Sequence, residues 1–373
     1  MAVATVAATL IGVLGPYLRE EIALTPAGLG ILVAVFAVVS GTMAWPAGML
    51  TDSIGGRLAL VAVFVGSVLG LAMLAAARSY TWLVVAMIAA GLANSAVNPA
   101  TNRVIANWVT PGSQGLVAGI KMAGVQLAVF AAGLGIPPAA EAFGWRLPLG
   151  VAVTAIAGTG VIGLFVLLDR SDVRGSEEAS PSRFRWSSGL LALTMYSMLM
   201  SAGASAVLTY IPLYSVDALD STPKVGGLAV ALAGLLAIVG RLWLGRATER
   251  VARPMRFLAL VGLVSLTSAA LLVVAGDTGS SFFWLGTAGL GLSALSFIAA
   301  VTVALILSMP RDQVGGASGM MFVGFMIGYG GGPAAFGALV ESSGYPAGWA
   351  LVLVSFLVAT LTAATASRAQ ESA

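Results

Sequence analysis

Cysteine and histidine are both absent from the 373 residues. Without cysteine there can be no disulfide and no thiolate chemistry. Without histidine the commonest general base, the commonest transition-metal ligand and the ordinary pH switch are missing. No metal, cofactor or catalytic group is therefore expected. Charge is scarce as well: Asp, Glu, Lys and Arg make up 9% of the chain, against about a quarter in a soluble domain. The net charge is only +3 and the bases are scattered, so nucleic acid is not an expected partner.

What fills the chain instead is apolar. Hydrophobic residues reach 59% and the mean hydropathy is +0.99, which indicates an integral membrane protein with the lipid bilayer as its solvent. Apolar segments recur at Ala2–Leu18, Ala27–Met49, Leu58–Ala77, Trp82–Val109, Gly115–Ala139, Leu147–Leu168, Ser187–Tyr214, Val225–Leu244, Met255–Ala275, Phe282–Met309, Gly316–Leu339 and Ala347–Ala366. That makes twelve expected transmembrane helices. The first is not read as a signal peptide, because no base precedes it and Arg19, Glu20 and Glu21 follow it. The longest polar stretch, rich in Pro, Gly, Ser and mixed charge, reads as a linker. It divides the chain into a six-helix bundle over 1–168, a linker over 169–186 and a second six-helix bundle over 187–373. Eleven arginines, among them Arg57, Arg170, Arg246, Arg250 and Arg253, fall on the side of the termini and linker. Arg19, Arg78, Arg146 and Lys224 fall on the other. The basic excess places both termini in the cytoplasm.

The halves echo each other. Gly115, Gly119 and Gly124 are matched by Gly315, Gly319 and Gly324, an offset of 200, and Gly91–Leu92 by Gly291–Leu292. "GIPPA" and "GGPAA" follow in turn, and both segments then run to a Gly-Trp pair, Gly144–Trp145 and Gly348–Trp349. Internal repeats of this kind build transporter folds.

Between the second and third segments stands "GMLTDSIGGR", with Gly48, Asp52, Gly55 and Arg57. Between the eighth and ninth stands "GRATERVAR", with Gly245, Glu249, Arg250 and Arg253. In both an acid follows a glycine by four residues, and bases come next. With these loops in both halves, the chain resembles the major facilitator superfamily over its whole length. Ser53 and Gly56 depart from the pattern, each standing where a base is usual, and the second copy has Glu249 for aspartate and no second glycine. The resemblance implies a secondary transporter with two pseudo-symmetric bundles and alternating access. It also implies that Asp52 is a conformational latch, held by Arg57 and by the N-terminus of helix eleven at Gly315–Ser318, since helix N-termini attract carboxylates. The alternative is a set of ordinary loop charges that fix topology.

Every Asp and Glu lies in a loop or near a helix end. Two bases lie deeper: Arg103 in helix four and Lys121 in helix five, each about 9 Å inside the cytoplasmic end. Intramembrane charge is a functional hypothesis by default, and bases without acids suit an anion. Both could instead snorkel to the headgroups, as expected for Arg241. Asn94, Asn98 and Asn102 form one helical stripe that could line a cavity or join helices. In the second half Tyr196, Ser201, Ser205, Tyr210 and Tyr329 are candidates for cavity lining or for packing. "GVQLAVFAAGLGIPPA" resembles a glycine-proline motif of antiporters in this superfamily, but its later Gly-Pro falls out of register.

The expected function is secondary transport of a small, anionic solute, with Arg103, Lys121, Asn94, Asn98, Tyr196 and Tyr329 contacting it. Protons are a second candidate partner, coupled through the substrate or replaced by anion exchange. A monomer is expected. The alternative is a proton-coupled drug or metabolite exporter, which ordinarily needs an acid in the membrane. A membrane enzyme or a receptor lacks support, with no acid–base pair, metal cluster or sizeable soluble domain in view.

Overall fold

The computed structural model describes residues 1–110, 114–168, 187–278, 280–310 and 313–371. The expected linker 169–186 lies outside the described residues, which are helical and contain no strand. The helices are α1 (Ala2–Val13), α2 (Gly15–Ile22), α3 (Pro26–Ile54), α4 (Gly56–Ala75), α5 (Tyr80–Ser95), α6 (Val97–Trp108), α7 (Gln114–Phe143) and α8 (Arg146–Leu168) in the first half. The second half holds α9 (Ser188–Asp217), α10 (Pro223–Arg250), α11 (Pro254–Thr278), α12 (Ser280–Leu292), α13 (Phe297–Ser308), α14 (Val314–Ser343) and α15 (Tyr345–Glu371). Ten helical stretches are long and apolar enough to cross a bilayer, with α5–α6 and α12–α13 each taken as one. The bent pair α1–α2 makes an eleventh. α8, apolar over Arg146–Gly158, stands in the twelfth place.

Three segments read as continuous are broken. The first bends by 60° between α1 and α2, where Pro16 enters at the start of α2 and lacks the N–H that would continue the ladder. The fourth breaks at Ala96; Pro99 has no N–H for the Ser95 carbonyl. The tenth breaks between Leu292 and Phe297 with no proline. There the Leu295 N–H reaches back five residues to the Leu290 carbonyl at 2.9 Å. The Ser296 hydroxyl donates to the Gly291 carbonyl at 2.8 Å.

The repeat is visible in the backbone. Val97–Trp108 is matched by Phe297–Ser308, and Gln114–Phe143 by Val314–Ser343, the offset of 200 seen in the glycines. The turn between α7 and α8 is made at Gly144, φ 76°, and that between α14 and α15 at Gly344, φ 80°. Gly344, not Gly348, is therefore the counterpart of Gly144. Gly348 lies within α15, and the shared Gly-Trp spelling had set the pairing off by one turn.

Helix ends also differ from the ends of the apolar runs. α3 extends through Asp52 to Ile54 and α10 through Glu249 to Arg250. Hydropathy falls before the helix stops, because the last turns project beyond the apolar layer. What stops α3 is Gly55, at φ 87° and ψ 153°, a backbone state that side chains disfavour. Gly48, Asp52, Gly245, Glu249 and Arg250 are thus helical residues, Arg57 opens α4, and Arg253 stays in the turn before α11.

Across the halves, α3 packs along α14, α7 along α10 and α1 along α9. We name the two ends of the molecule after Asp52, near the end of α3, and Asp217, at the end of α9. The halves meet closely toward the Asp217 end. A Cβ on Gly30 would stand 2.2 Å from the Pro333 carbonyl oxygen, so only glycine permits that crossing. The Tyr210 hydroxyl donates to the Pro26 carbonyl at 2.5 Å, with the Pro333 carbonyl 3.1 Å away. Arg19 of the first half is ion-paired with Asp217, which also accepts from the Tyr345 hydroxyl at 2.8 Å. At the Asp52 end the space around Gly48, Gly119, Gly315 and Gly319 is open to 4 Å.

Candidate functional site

A cavity of about 300 Å³ lies between the halves. Its walls come from α1, α3, α5, α6 and α7 on one side and from α9, α10, α13 and α14 on the other. The helix breaks decide which polar atoms reach it. α10 brings Arg241 to the wall, and the opened turn before α13 leaves the Leu295 carbonyl facing it. Arg241 donates from Nε and Nη2 to that carbonyl, each at 3.4 Å, and from Nη1 to the Met122 carbonyl of α7 at 3.3 Å. These bonds are long and therefore weak. Among the described residues no ion pair involves Arg241 and no carboxylate lines the cavity. The guanidinium is a half-buried cation held by neutral carbonyls alone.

Arg241 reads from sequence as a snorkelling residue because the apolar run ends at Leu244. The helix runs on to Arg250, which leaves Arg241 about 14 Å from its end. Gln126 was not singled out. Its residue is 5% exposed, it lines the cavity, and its Oε1 has no partner among the described residues. A lone amide inside an apolar run was the available signal.

The two deeper bases take other places. Arg103 donates from Nη1 to Oδ1 of Asp52 at 2.6 Å. Two residues assigned to different sites are thus partners within one half. Asp52 remains 76% exposed at its side chain, and Gly315 at the start of α14 has open space around it. Gly56 allows the pairing. A Cβ there would stand 3.2 to 3.4 Å from Val104 and the stem of Arg103, so the missing base makes room for Arg103 to cross α4. Lys121 donates to Thr101 Oγ1 and Asn102 Oδ1 at 2.8 Å and to Asn98 Oδ1 at 3.3 Å. Three neutral acceptors on α6 answer its three protons, and neither Lys121 nor Arg103 lines the cavity.

The amide stripe divides between the two alternatives. Asn98 lines the cavity and accepts from Lys121; Asn94 lines it and donates to the Ser40 hydroxyl of α3 at 3.2 Å. Tyr329 is on the wall, stacked on Phe325 at 5.7 Å. Tyr196 is elsewhere: 1% exposed, it donates to the Leu258 carbonyl of α11 at 2.8 Å inside the second half. Ser201 and Ser205 line the cavity, but their hydroxyls bond carbonyls of neighbouring backbone.

Comparison with known proteins gives a consistent family. The model of the Major Facilitator Superfamily matches residues 1–310. An "Uncharacterized MFS-type transporter" of Mycobacterium tuberculosis is 27% identical over 339 residues, covering 88% of this chain and 74% of the relative. A "Probable nitrate/nitrite transporter NarK2" of the same organism is 28% identical over 281 residues, covering 70% and 68%. The crystal structure of a bacterial homologue of the human lysosomal transporter Spinster, in an inward-facing and occupied conformation, superposes with a TM-score of 0.75. It is 16% identical and covers 98% of this chain and 94% of that one. At that identity the likeness shows the fold.

Proposed function

The chain belongs to the Major Facilitator Superfamily, whose members are transporters rather than enzymes, and we propose that within it this protein carries a small organic anion. The observation that supports this reading most is Arg241, a cation on the cavity wall without a carboxylate partner among the described residues. A permanently charged guanidinium in a low-dielectric site is costly to bury unless a counter-ion arrives. Its fork geometry suits a carboxylate. The nitrate relative agrees in the sign of the charge carried.

The transport units are the bundles 1–168 and 187–373, joined by 169–186. The arginine excess assigns the Asp52 end to the cytoplasm, so the structure is a cytoplasm-open state with its outer side closed. In it Asp52 is latched to Arg103; in the opposite state it turns to the start of α14. Gly48 in α3 and Gly245, Glu249 and Arg250 in α10 belong to the helix ends, Gly55 and Arg253 to the turns that follow them, and Arg57 to the start of α4. Among the described residues no carboxylate lines the cavity, so a proton symported with the anion has no acidic side chain on the wall to carry it.

In proteoliposomes, Arg241→Gln is expected to abolish uptake of every anion that the native protein carries, while Arg241→Lys keeps part of it. Equal uptake by native protein and Arg241→Gln would remove the anion site.

A further inference from the structure

The cavity wall carries more information than the sign of the charge. It has one cation. The other two deep bases are turned away, Arg103 to Asp52 and Lys121 to α6. One guanidinium matches one negative charge. The same cavity also carries a row of rings. Phe322, Phe325 and Tyr329 of α14 lie in sequence, with centroids 6.1 and 5.7 Å apart and planes within 14° and 24°. Phe297 of α13 meets Phe325 at 6.2 Å. All four line the cavity, and Phe36 closes it from α3. Such a wall receives a flat apolar body by stacking and by burial.

Some of the polar groups on the wall are engaged. Asn94 holds Ser40, and the hydroxyls of Ser201 and Ser205 hold backbone carbonyls. Gln126 stands out because its Oε1 is buried and has no partner among the described residues. It sits on α7 one turn beyond Met122, whose carbonyl touches Arg241; one turn is about 6 Å. A buried acceptor without a donor is a free-energy cost that an occupant can remove.

We propose that the substrate is an aromatic monocarboxylate bearing one hydroxyl or N–H donor, its carboxylate on Arg241, its ring on the Phe297–Phe325–Tyr329 wall and its donor on Gln126. This rests on the anion reading given above and narrows it. A small inorganic anion would leave the rings and Gln126 unmatched. A polyhydroxylated acid would leave the rings unmatched as well.

The test is calorimetric binding to the purified full chain in detergent micelles, with benzoate, 4-hydroxybenzoate, nitrate, gluconate and the uncharged benzamide as probes. The expected order is 4-hydroxybenzoate, then benzoate, with nitrate and gluconate at least about tenfold weaker. Gln126→Leu should erase the advantage of the hydroxyl and keep benzoate binding. Phe325→Leu should weaken both aromatic acids about tenfold. Arg241→Gln should remove all binding, with Arg241→Lys as the variant to use where Gln fails to fold. Nitrate or gluconate binding better than the aromatic acids, still dependent on Arg241, overturns the aromatic assignment and leaves the anion reading standing. Benzamide binding as tightly as benzoate, unaffected at Arg241, overturns both.

Discussion

Arg103 and Lys121 look alike in the sequence: single bases at one depth on consecutive helices. Depth alone does not say what a side chain meets, and their partners differ. Arg103 crosses α4 over Gly56 to an exposed carboxylate, where a pair contributes at most about 1 kcal/mol. Lys121 is held by Asn98, Thr101 and Asn102, all on the helix before it. Replacing it strands Asn98 and Thr101, both half-buried, while Asn102 stays exposed to solvent. Lys121→Met is therefore expected to cost about 1–3 kcal/mol, read as a fall of several degrees in apparent melting temperature, while the folded fraction binds anions as before. A loss of anion binding at unchanged melting temperature would return Lys121 to the substrate site. Arg241 could not be told from a snorkelling residue without the true end of α10. For Gln126, nothing in the sequence says which face of α7 meets the cavity.

At the scale of the helix, the breaks separate what was legible from what was not. Pro16 and Pro99 announce two of them, because a missing N–H is a local property. The break before α13 has no proline. It depends on serine hydroxyls that take up freed carbonyls, which only the folded arrangement reveals. Ser296 donates to Gly291 and also lies 3.2 Å from the Ala237 carbonyl of α10, tying the opened turn to the helix that carries Arg241. Ser296→Ala removes that tie. The expected result is a loss of about 1 kcal/mol in stability together with several-fold weaker anion binding, since the Leu295 carbonyl that orients Arg241 is no longer fixed. Melting curves and titration on one preparation check both halves of this statement; a stability loss with native affinity would show that Arg241 is positioned without the break.

For the whole molecule, the glycine offset of 200 read from sequence is also the offset from α6 to α13 and from α7 to α14, so this stretch of the repeat was legible. The conformation was not, because one sequence specifies both states and only the packing shows which is occupied. Here the halves are joined toward the Asp217 end by the Gly30 crossing, by Tyr210 and by the Arg19–Asp217–Tyr345 cluster. Tyr210→Phe keeps the ring, which stacks on Phe336 at 4.5 Å, and removes only the hydroxyl that bridges α9 to Pro26 and Pro333. A hydrogen bond of about 0.5–1.5 kcal/mol lost from one state alone moves a two-state equilibrium roughly twofold to tenfold. The absence of native cysteine makes this measurable without background. Spin labels on cysteines placed at Gly48 and Gly319, both in open space, report the width of the Asp52 end. Tyr210→Phe should raise the short-distance population at that end, whereas an unchanged distance distribution would mean that the glycine crossing, and not the tyrosine, holds the closed side together.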